Sequence, residues 1–418
     1  MVVKSWVESA NGHPDFPIEN LPFGVFRRGG EPRIGMAIGD EILDLAGCYA
    51  SDLVEEWACT RPSLNELMSR GRDAASRLRK RVAGILIDGS ADRERAAKHL
   101  VAQRDADMLL PCTIGDYTDF YASVHHATNV GSMFRPDNPL LPNYKYVPIG
   151  YHGRASSIVI SGSSFRRPTG QTRDDAEQPP TFQPSKRLDY EMEVGAFVGH
   201  GNELGSTIEM HDAEESIFGL CLVNDWSARD IQAWEYQPLG PFLAKNFATT
   251  ISPWLVTLDA LEPFRVPPFT RPEGDPAPLP YLKFDDDRGI DLVLEVAIAS
   301  SKMREQNIEP LRLSRGNFRD MYWTLAQLVT HHTSNGCNLR PGDLIASGTV
   351  SGAAKESRGS MLERAWRGTE PVQLPTGESR TFLEDGDEII MRGWCEREGA
   401  TRIGFGECRG IVRPAQWE

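Results

Sequence analysis

The residues best suited to chemistry begin in the stretch 116–135, DYTDFYASVHHATNVGSMFR. This stretch contains acids, phenols, a histidine pair and an arginine, among them Asp119, Tyr121, His126 and Arg135. A carboxylate and an imidazole a few residues apart suit metal binding or acid–base catalysis. The stretch has no helical apolar stripe and little alternation, so we predict a strand end that runs into a loop. A polar surface loop with an incidental histidine pair is the alternative interpretation.

A pair of carboxylates lies in the strand-like residues 188–198. Glu191 and Glu193 are two positions apart, and side chains at that spacing share one face of a strand. The apolar residues around them predict an interior strand, where two unpaired carboxylates would repel each other and lose hydration. A cation between the two side chains would offset both effects. An edge strand with a solvated acidic face is the alternative.

The segment 218–248 carries the densest set of polar candidates. An apolar strand delivers Asp225 at its end, and a short helix and a Pro-Leu-Gly-Pro turn follow. Residues three and four apart share one face of a helix, so several hydrogen-bond donors collect on one side of this segment. They predict a cradle for an anion or an oxyanion, although a salt-bridged surface helix is the alternative. The donors are Arg229, Gln232, Tyr236 and Lys245.

Carboxylates from several strands or strand ends could form one metal site. The candidates are Asp119, Glu191, Glu193 and Asp225. An all-carboxylate set without cysteine selects a hard divalent ion, Ca²⁺ or Mg²⁺, rather than zinc. Four negative charges cannot share a dry pocket unless a dication and nearby bases neutralise them. His126 follows Asp119 closely in the chain and is a candidate general base that lies beside the metal but outside its ligand set.

Composition excludes several other classes of protein. The chain has 418 residues, enough for roughly two or three domains, and 45 basic against 59 acidic residues give a net charge of -14. This balance argues against a nucleic-acid surface. Seven cysteines without a CxxC pair predict free thiols in a reducing compartment. We find no secretory signal and no apolar run of about 18 residues, so a cytoplasmic protein without a membrane partner is expected.

The elements around these residues predict an α+β fold rich in strands. Short apolar runs broken by glycine at 23–45 read as hairpins, and helical patterns follow to about residue 104. We expect residues 1–111 to form a small α+β domain and residues 112–418 to form the catalytic domain. Glycines around Tyr151 predict a loop that approaches a ligand closely, and a further glycine-rich loop surrounds Thr349.

The sequence resembles the fumarylacetoacetate hydrolase family over nearly its full length. An N-terminal motif and a series of motifs from residue 116 onward carry the resemblance: NGHPDFPIENLPFGVF, DYTDFY with HATNVG, PIGYHGRASSIV, LDYEMEVGAFVG, NDWSARDIQAWEYQPLGPFLAKNF, TTISPWLV, LRPGDLIASGTVSG and GSMLE. The resemblance implies a homodimer. It also implies a small SH3-like N-terminal barrel and a large mixed β-sandwich or β-roll catalytic domain.

The resemblance also implies a role for each site residue. Members of the family bind Ca²⁺ or Mg²⁺ through the acids that here are Asp119, Glu191, Glu193 and Asp225, with Lys245 and Thr249 near a second cation. His126 is implied to activate water, and Glu363 to orient that histidine. The oxyanion site is implied to consist of Arg229, Gln232 and Lys245. The substrate contacts are implied to be Tyr121, Arg135, Tyr151, Gln232, Tyr236 and Thr349.

The activity implied by the resemblance is hydrolysis of a carbon–carbon bond. The expected reaction splits 4-fumarylacetoacetate into fumarate and acetoacetate, the last step of tyrosine and phenylalanine degradation. A related acylpyruvate or β-diketo acid hydrolase on the same scaffold is the alternative enzyme. A non-catalytic binding protein that uses the cation structurally is the alternative from another class.

Overall fold

A computed structural model describes residues 3–175, 177–286 and 288–417 of the chain. The N-terminal region contains one antiparallel sheet with the strand order β4-β3-β2-β1-β5. Its strands are β1 (Phe23–Arg27), β2 (Arg33–Ile38), β3 (Glu41–Asp44), β4 (Leu100–Ala102) and β5 (Asp107–Leu109). Its helices are α1 (Leu45–Ala50), α2 (Asn65–Ser69), α3 (Arg72–Leu86) and α4 (Arg93–Ala96).

The rest of the chain consists mainly of short and medium-length strands. They are β6 (Tyr117–Phe120), β7 (Gly150–His152), β8 (Ile158–Ile160), β9 (Ser164–Arg166), β10 (Thr169–Thr172), β11 (Thr181–Pro184), β12 (Leu188–Asp189), β13 (Met192–Val198), β14 (Ile217–Asp225), β15 (Ser227–Ala228), β16 (Thr249–Ile251), β17 (Arg265–Val266), β18 (Gly289–Ile290), β19 (Val293–Ala299), β20 (Leu311–Asn317), β21 (Leu344–Ala346), β22 (Val372–Gln373), β23 (Ser379–Arg380), β24 (Glu388–Cys395) and β25 (Ile403–Arg413). Its helices are α5 (Val124–Phe134), α6 (Arg229–Glu235), α7 (Leu258–Leu261), α8 (Ser301–Glu305), α9 (Leu325–Thr333) and α10 (Met361–Arg364).

Two large sheets position the candidate site. The first has seven strands in the order β7-β6-β21-β13-β14-β16-β8, with parallel pairs at β6–β21 and β8–β16. The second has the order β20-β19-β24-β25-β9. Leu222 of the first sheet and Leu294 and Met391 of the second belong to one buried apolar core, so the two sheets pack against each other. This sheet-rich arrangement confirms the predicted α+β fold class.

The N-terminal region packs on the first large sheet. Phe23 of β1 exchanges backbone hydrogen bonds with Leu255, 3.0 and 2.7 Å between nitrogen and oxygen. Its ring contacts Phe218 of β14, and both side chains lie in a core that the N-terminal helices share with the sheet. The sheet is therefore covered on one face by the N-terminal region and on the other by the second large sheet, as expected for strands that are apolar on both faces.

The structure corrects the prediction that the stretch 116–135 is a strand end followed by a loop. Strand β6 ends at Phe120, and helix α5 begins after Ser123, whose hydroxyl oxygen accepts a hydrogen bond from the backbone of His126 (3.2 Å). Serine is a favoured residue at this capping position. The helical pattern is weak in the sequence because polar side chains, His126 and Asn129, occupy part of the buried face where apolar residues would normally lie.

The cysteines are free, as the sequence predicts, and all except Cys337 are buried. Burial raises the pKa of Cys48 and of Cys59 to about 12, so neither thiol forms the reactive thiolate near neutral pH. We therefore expect one fast-reacting thiol, Cys337, when the native protein is titrated with a chromogenic disulfide, and seven after denaturation. A second fast equivalent would contradict this packing. Among the described helices, none has the length and apolarity needed to cross a lipid bilayer.

Candidate active site and metal centre

Three buried carboxylates meet on the first large sheet. Asp119 comes from β6, Glu193 from β13 and Asp225 from the end of β14. One oxygen of each lies within 4.8 Å of the others. Strand β13 lies between β21 and β14 and every one of its residues is buried, so the alternative of a solvated edge strand is wrong. The strand order explains the convergence, because these strands lie within one sheet although they are far apart in sequence.

The charges of Asp119 and Glu193 are poorly compensated. Asp119 Oδ1 and both oxygens of Glu193 are buried and accept no hydrogen bond from a described donor. Burial raises the pKa of Asp119 and of Glu193 well above the ordinary range, and repulsion between the acids raises each further. Burial also raises the pKa of Asp225. Buried anionic oxygens without donors are the ligands that a hard divalent cation requires, so the residues fit such an ion.

Glu191, the fourth predicted ligand, lies beside this group but is paired differently. Its Oε1 accepts a hydrogen bond from Arg229 Nη2 (2.6 Å), and its Oε2 accepts one from Lys245 Nζ. Burial would raise the pKa of Glu191, but Arg229 and Lys245 together hold it well below the ordinary range. Among the described residues, the group whose oxygens converge therefore consists of three acids, with Glu191 linking it to two basic side chains.

Three of the four predicted donors of the oxyanion cradle, Arg229, Gln232 and Lys245, are brought together, whereas Tyr236 is exposed. Helix α6 begins at Arg229, whose Nη1 donates to Gln232 Oε1 (3.1 Å). Lys245 Nζ donates to Asp225 Oδ2 (2.6 Å), and Thr249 Oγ1 donates to Asp225 Oδ1 (3.0 Å). Burial lowers the pKa of Lys245, but Asp225 and Glu191 raise it more, so its ammonium group stays charged. The surface-helix alternative is wrong for Arg229, which is buried with its counter-charges.

His126 and Glu363 form a buried pair next to the acids. The distance from His126 Nδ1 to Glu363 Oε2 is 2.6 Å, and His126 Nε2 lies 3.8 Å from Glu191 Oε1. Burial raises the pKa of Glu363, but His126 and several hydrogen bonds lower it below the ordinary range, so the carboxylate is charged. A carboxylate at Nδ1 fixes the tautomer whose Nε2 carries a lone pair. Nε2 therefore remains available to accept a proton, as a general base requires, and it lies beside Glu191.

Further polar residues hold Glu363 in place. Ser351 and Ser360 donate their hydroxyl protons to its Oε2 (2.9 and 2.8 Å), and Asn129 Nδ2 donates to its Oε1 (2.8 Å). Our sequence reasoning missed all three. Asn129 left a signal, because it lies three positions after His126 and so shares its helix face. Ser360 also left one, because it lies three positions before Glu363 and Ser-x-x-Glu is the spacing of a capping box. Ser351 left none, since its contact with Glu363 depends on the fold of the loop after β21.

The sequence analysis also missed Asp189. It is fully buried and accepts a hydrogen bond from Arg229 Nε (2.8 Å). The signal was its position two residues before Glu191, which extends the same alternation of acids. The prediction from the sequence includes only the two glutamates, Glu191 and Glu193.

Apart from Gln232, which accepts the hydrogen bond from Arg229 described above, the predicted substrate residues divide into two groups. Tyr121 packs edge-on against the ring of His126 (5.3 Å between ring centroids), Tyr151 donates its hydroxyl proton to Asp225 Oδ2 (3.1 Å), and Thr349 is buried. Arg135 and Tyr236 are exposed, and Arg135 Nη2 donates to the carbonyl of Pro139 (3.3 Å). Tyr121 and Tyr151 thus contact site residues directly and Thr349 is buried, whereas the second group faces solvent.

A cavity of about 240 Å³ opens beside the acids. Its walls include Tyr151, Asp225 and Lys245, together with Arg154 and Phe242. This volume suits a small organic acid rather than a polymer. The site therefore combines carboxylates that fit a divalent cation, a positioned imidazole and clustered donors, and a small cavity reaches it at Asp225 and Lys245. This combination is typical of a metal-assisted hydrolase.

Comparisons with known proteins agree with this class. A family model described as "Fumarylacetoacetate (FAA) hydrolase C-terminal" matches residues 116–413, and one described as "Fumarylacetoacetase N-terminal" matches residues 19–111. Fumarylacetoacetase of Bos taurus is 51% identical over 413 residues, which is 96% of this chain and 97% of that protein. Fumarylacetoacetase of Homo sapiens is 50% identical with the same coverage.

A solved structure supports the same fold. Fumarylacetoacetate hydrolase from the psychrophile Exiguobacterium antarcticum superposes with a TM-score of 0.53 at 18% identity, covering 94% of this chain and 99% of that one. The chain belongs to the fumarylacetoacetate hydrolase family, so the family predicted from the sequence motifs is confirmed. It is a hydrolase of that family.

Proposed function

We propose that the chain hydrolyses the carbon–carbon bond of 4-fumarylacetoacetate and releases fumarate and acetoacetate, the last step of tyrosine and phenylalanine degradation. The observation that carries this proposal is the buried His126–Glu363 pair, in which His126 Nε2 lies 3.8 Å from Glu191 Oε1, beside the converging acids. The two fumarylacetoacetases described above are 51% and 50% identical in sequence to this chain over nearly its whole length. This similarity supports the choice of substrate.

The reaction needs a nucleophile made from water. His126 Nε2 takes a proton from a water molecule, and the hydroxide adds to the carbonyl carbon next to the bond that breaks. Glu363 keeps the imidazole in the required tautomer and stabilises the imidazolium that forms. Collapse of the tetrahedral intermediate breaks the bond to the methylene carbon, and the proton held on His126 Nε2 is available to that carbon. One water is consumed and two carboxylic acids leave.

The charge that develops on the carbonyl oxygen needs donors. Arg229, Gln232 and Lys245 supply them, and removing one such donor typically lowers the rate by about 10²–10³-fold. The ion in this proposal is Ca²⁺ or Mg²⁺, held by Asp119, Glu191, Glu193 and Asp225, with Lys245 and Thr249 near a second cation. When bound, such an ion polarises the two carbonyl oxygens of a β-diketone. In the same proposal, the residues that hold the substrate are Tyr121, Arg135, Tyr151, Gln232, Tyr236 and Thr349.

The proposal extends to assembly and architecture. Large exposed apolar side chains follow α6, with Leu239 96% and Phe242 67% exposed, and such a patch supports a homodimer. In this proposal the protein is located in the cytoplasm. The five-stranded N-terminal sheet forms the proposed SH3-like barrel within domain 1–111. The two packed large sheets form the proposed β-roll of the catalytic domain, 112–418.

Product analysis tests the substrate. The protein is incubated with Mg²⁺ or Ca²⁺ and a panel of 3,5-dioxo acids and acylpyruvates, and the products are separated by chromatography. We expect fumarate and acetoacetate in equal amounts from fumarylacetoacetate, with a kcat/KM at least about tenfold above that for any acylpyruvate. Pyruvate formed faster from an acylpyruvate would instead identify the related hydrolase. No turnover of any member would favour the binding protein.

A further inference from the structure

Asp189 links two parts of the candidate active site that come from distant segments of the chain. Its Oδ2 accepts hydrogen bonds from Arg229 Nε (2.8 Å) and from the backbone nitrogen of Leu362 (3.0 Å). Its Oδ1 accepts from the backbone nitrogens of Met361 (2.7 Å) and Tyr190 (2.8 Å). The residue is fully buried, so no water replaces these contacts if the carboxylate is lost.

On one side, Asp189 fixes the direction of the Arg229 guanidinium. The three nitrogens of this group have different partners: Asp189 at Nε, Glu191 at Nη2 (2.6 Å) and Gln232 at Nη1 (3.1 Å). Because a guanidinium is planar, two carboxylates on adjacent edges define its plane. Without Asp189 the guanidinium would keep only one carboxylate, Glu191, and the amide of Gln232, so its plane would be less firmly fixed.

On the other side, Asp189 caps the short helix that carries Glu363. Helix α10 has four residues, too few to be stable alone, and its first two N–H groups point at Asp189. Its N-cap residue, Ser360, donates its hydroxyl proton to Glu363 Oε2 (2.8 Å). The position of Glu363, and through it of His126, therefore depends on the contact between Asp189 and α10.

We propose that Asp189 is a positioning residue that couples the Arg229 guanidinium to the His126–Glu363 pair through helix α10. This inference rests on the proposed hydrolysis. The base and the oxyanion donor must act on the same carbonyl group, so their relative position matters more than either position alone. A displacement of about 1 Å at such a site costs on the order of 10²-fold in rate.

The chain offers a matched control with the same chemistry away from the site. Asp387 is also fully buried, and it accepts hydrogen bonds from Arg380 Nε (2.8 Å), Arg380 Nη2 (3.0 Å) and the backbone nitrogen of Glu384 (2.8 Å). Substituting either aspartate by asparagine leaves donors facing an amide NH₂, whichever way the amide turns. Both variants should lose stability, but only one should lose catalysis.

The first experiment compares Asp189→Asn with Asp387→Asn, each assayed well below its own melting temperature. We expect Asp189→Asn to lower kcat by about 10–10²-fold while KM changes by less than about threefold, because alignment rather than binding is lost. Asp387→Asn should keep kcat within about twofold of the unsubstituted protein. Equal effects of the two substitutions on kcat would overturn the proposal, since Asp189 would then act through stability alone.

A second variant and a cycle address the case in which Asp189→Asn folds poorly. Asp189→Glu keeps the charge opposite Arg229 but lengthens the side chain, so it should fold and still lose turnover; full turnover would overturn the proposal. In a cycle with Arg229→Gln, we expect the loss in the double variant to be at least about tenfold smaller than the product of the single losses. Multiplicative losses would contradict coupling. The cycle uses whichever β-diketo acid the unsubstituted protein hydrolyses, so a wrong substrate does not affect it.

Discussion

Substitution of His126 by asparagine is expected to lower hydrolysis by at least about 10³-fold without unfolding the protein, within the range that general bases typically contribute. The asparagine amide can still donate a proton to Glu363 Oε2, which now lies 2.6 Å from His126 Nδ1. Only the second ring nitrogen, Nε2, has no counterpart in the new side chain. The loss therefore reports the proton acceptor rather than the packing of α5.

His125 provides the control for this substitution. It precedes His126 on the same helix, and its ring contacts Phe269 instead of the acidic group (6.0 Å between centroids). We expect His125→Asn to keep turnover within about threefold of the unsubstituted protein. Cation affinity, measured by calorimetry, should be unchanged in both variants. If His126→Asn kept a tenth of the original kcat, another group would have to activate water, and the role assigned to His126 would be wrong.

The acids of the candidate site could be predicted because strand geometry relates spacing to direction. Glu191 and Glu193 are expected to share a face at a spacing of two, and Asp225 is an acid at the end of an apolar strand, which in the structure is the neighbour of β13. The sequence does not predict which of these acids converge in the folded protein. Glu191 is paired with Arg229 and Lys245, and this pairing depends on where α6 and the following turn place those two side chains.

Helix α5 illustrates why the rest of the site was harder to predict. Amphipathic patterns predict helices when the buried face is apolar, but this helix buries His126 and Asn129 against Glu363. The same polar pair that makes the segment functional removes the signal for its secondary structure. The contact of Asp189 with α10 was unpredictable for another reason, because Asp189 and Met361 lie 172 positions apart in the sequence and meet only in the folded chain. The contact of Ser351 with Glu363 likewise depends on how the loop after β21 folds.

Substitution of Glu193 by glutamine is expected to have opposite effects on cation binding and on the stability of the cation-free protein. The affinity for Ca²⁺ or Mg²⁺ should fall by at least about 10²-fold, and hydrolysis with it, because an anionic ligand is lost. Without the cation, the variant should be more stable by about 1 kcal/mol, since both oxygens of Glu193 are buried without donors and repel Asp119 and Asp225.

Glu191→Gln is the matched substitution for Glu193→Gln. It removes the same charge, but at position 191 the loss should lower the stability of the cation-free protein. Glu191 is paired with Arg229 and Lys245, and neutralising it leaves two buried cations with less compensation, at a cost of about 3 kcal/mol or more. Thermal unfolding of both variants in a chelator, followed by titration with Ca²⁺ and Mg²⁺, measures these effects. A lower melting temperature of chelated Glu193→Gln, or an unchanged cation affinity, would mean that the three converging carboxylates are not an ion-binding set.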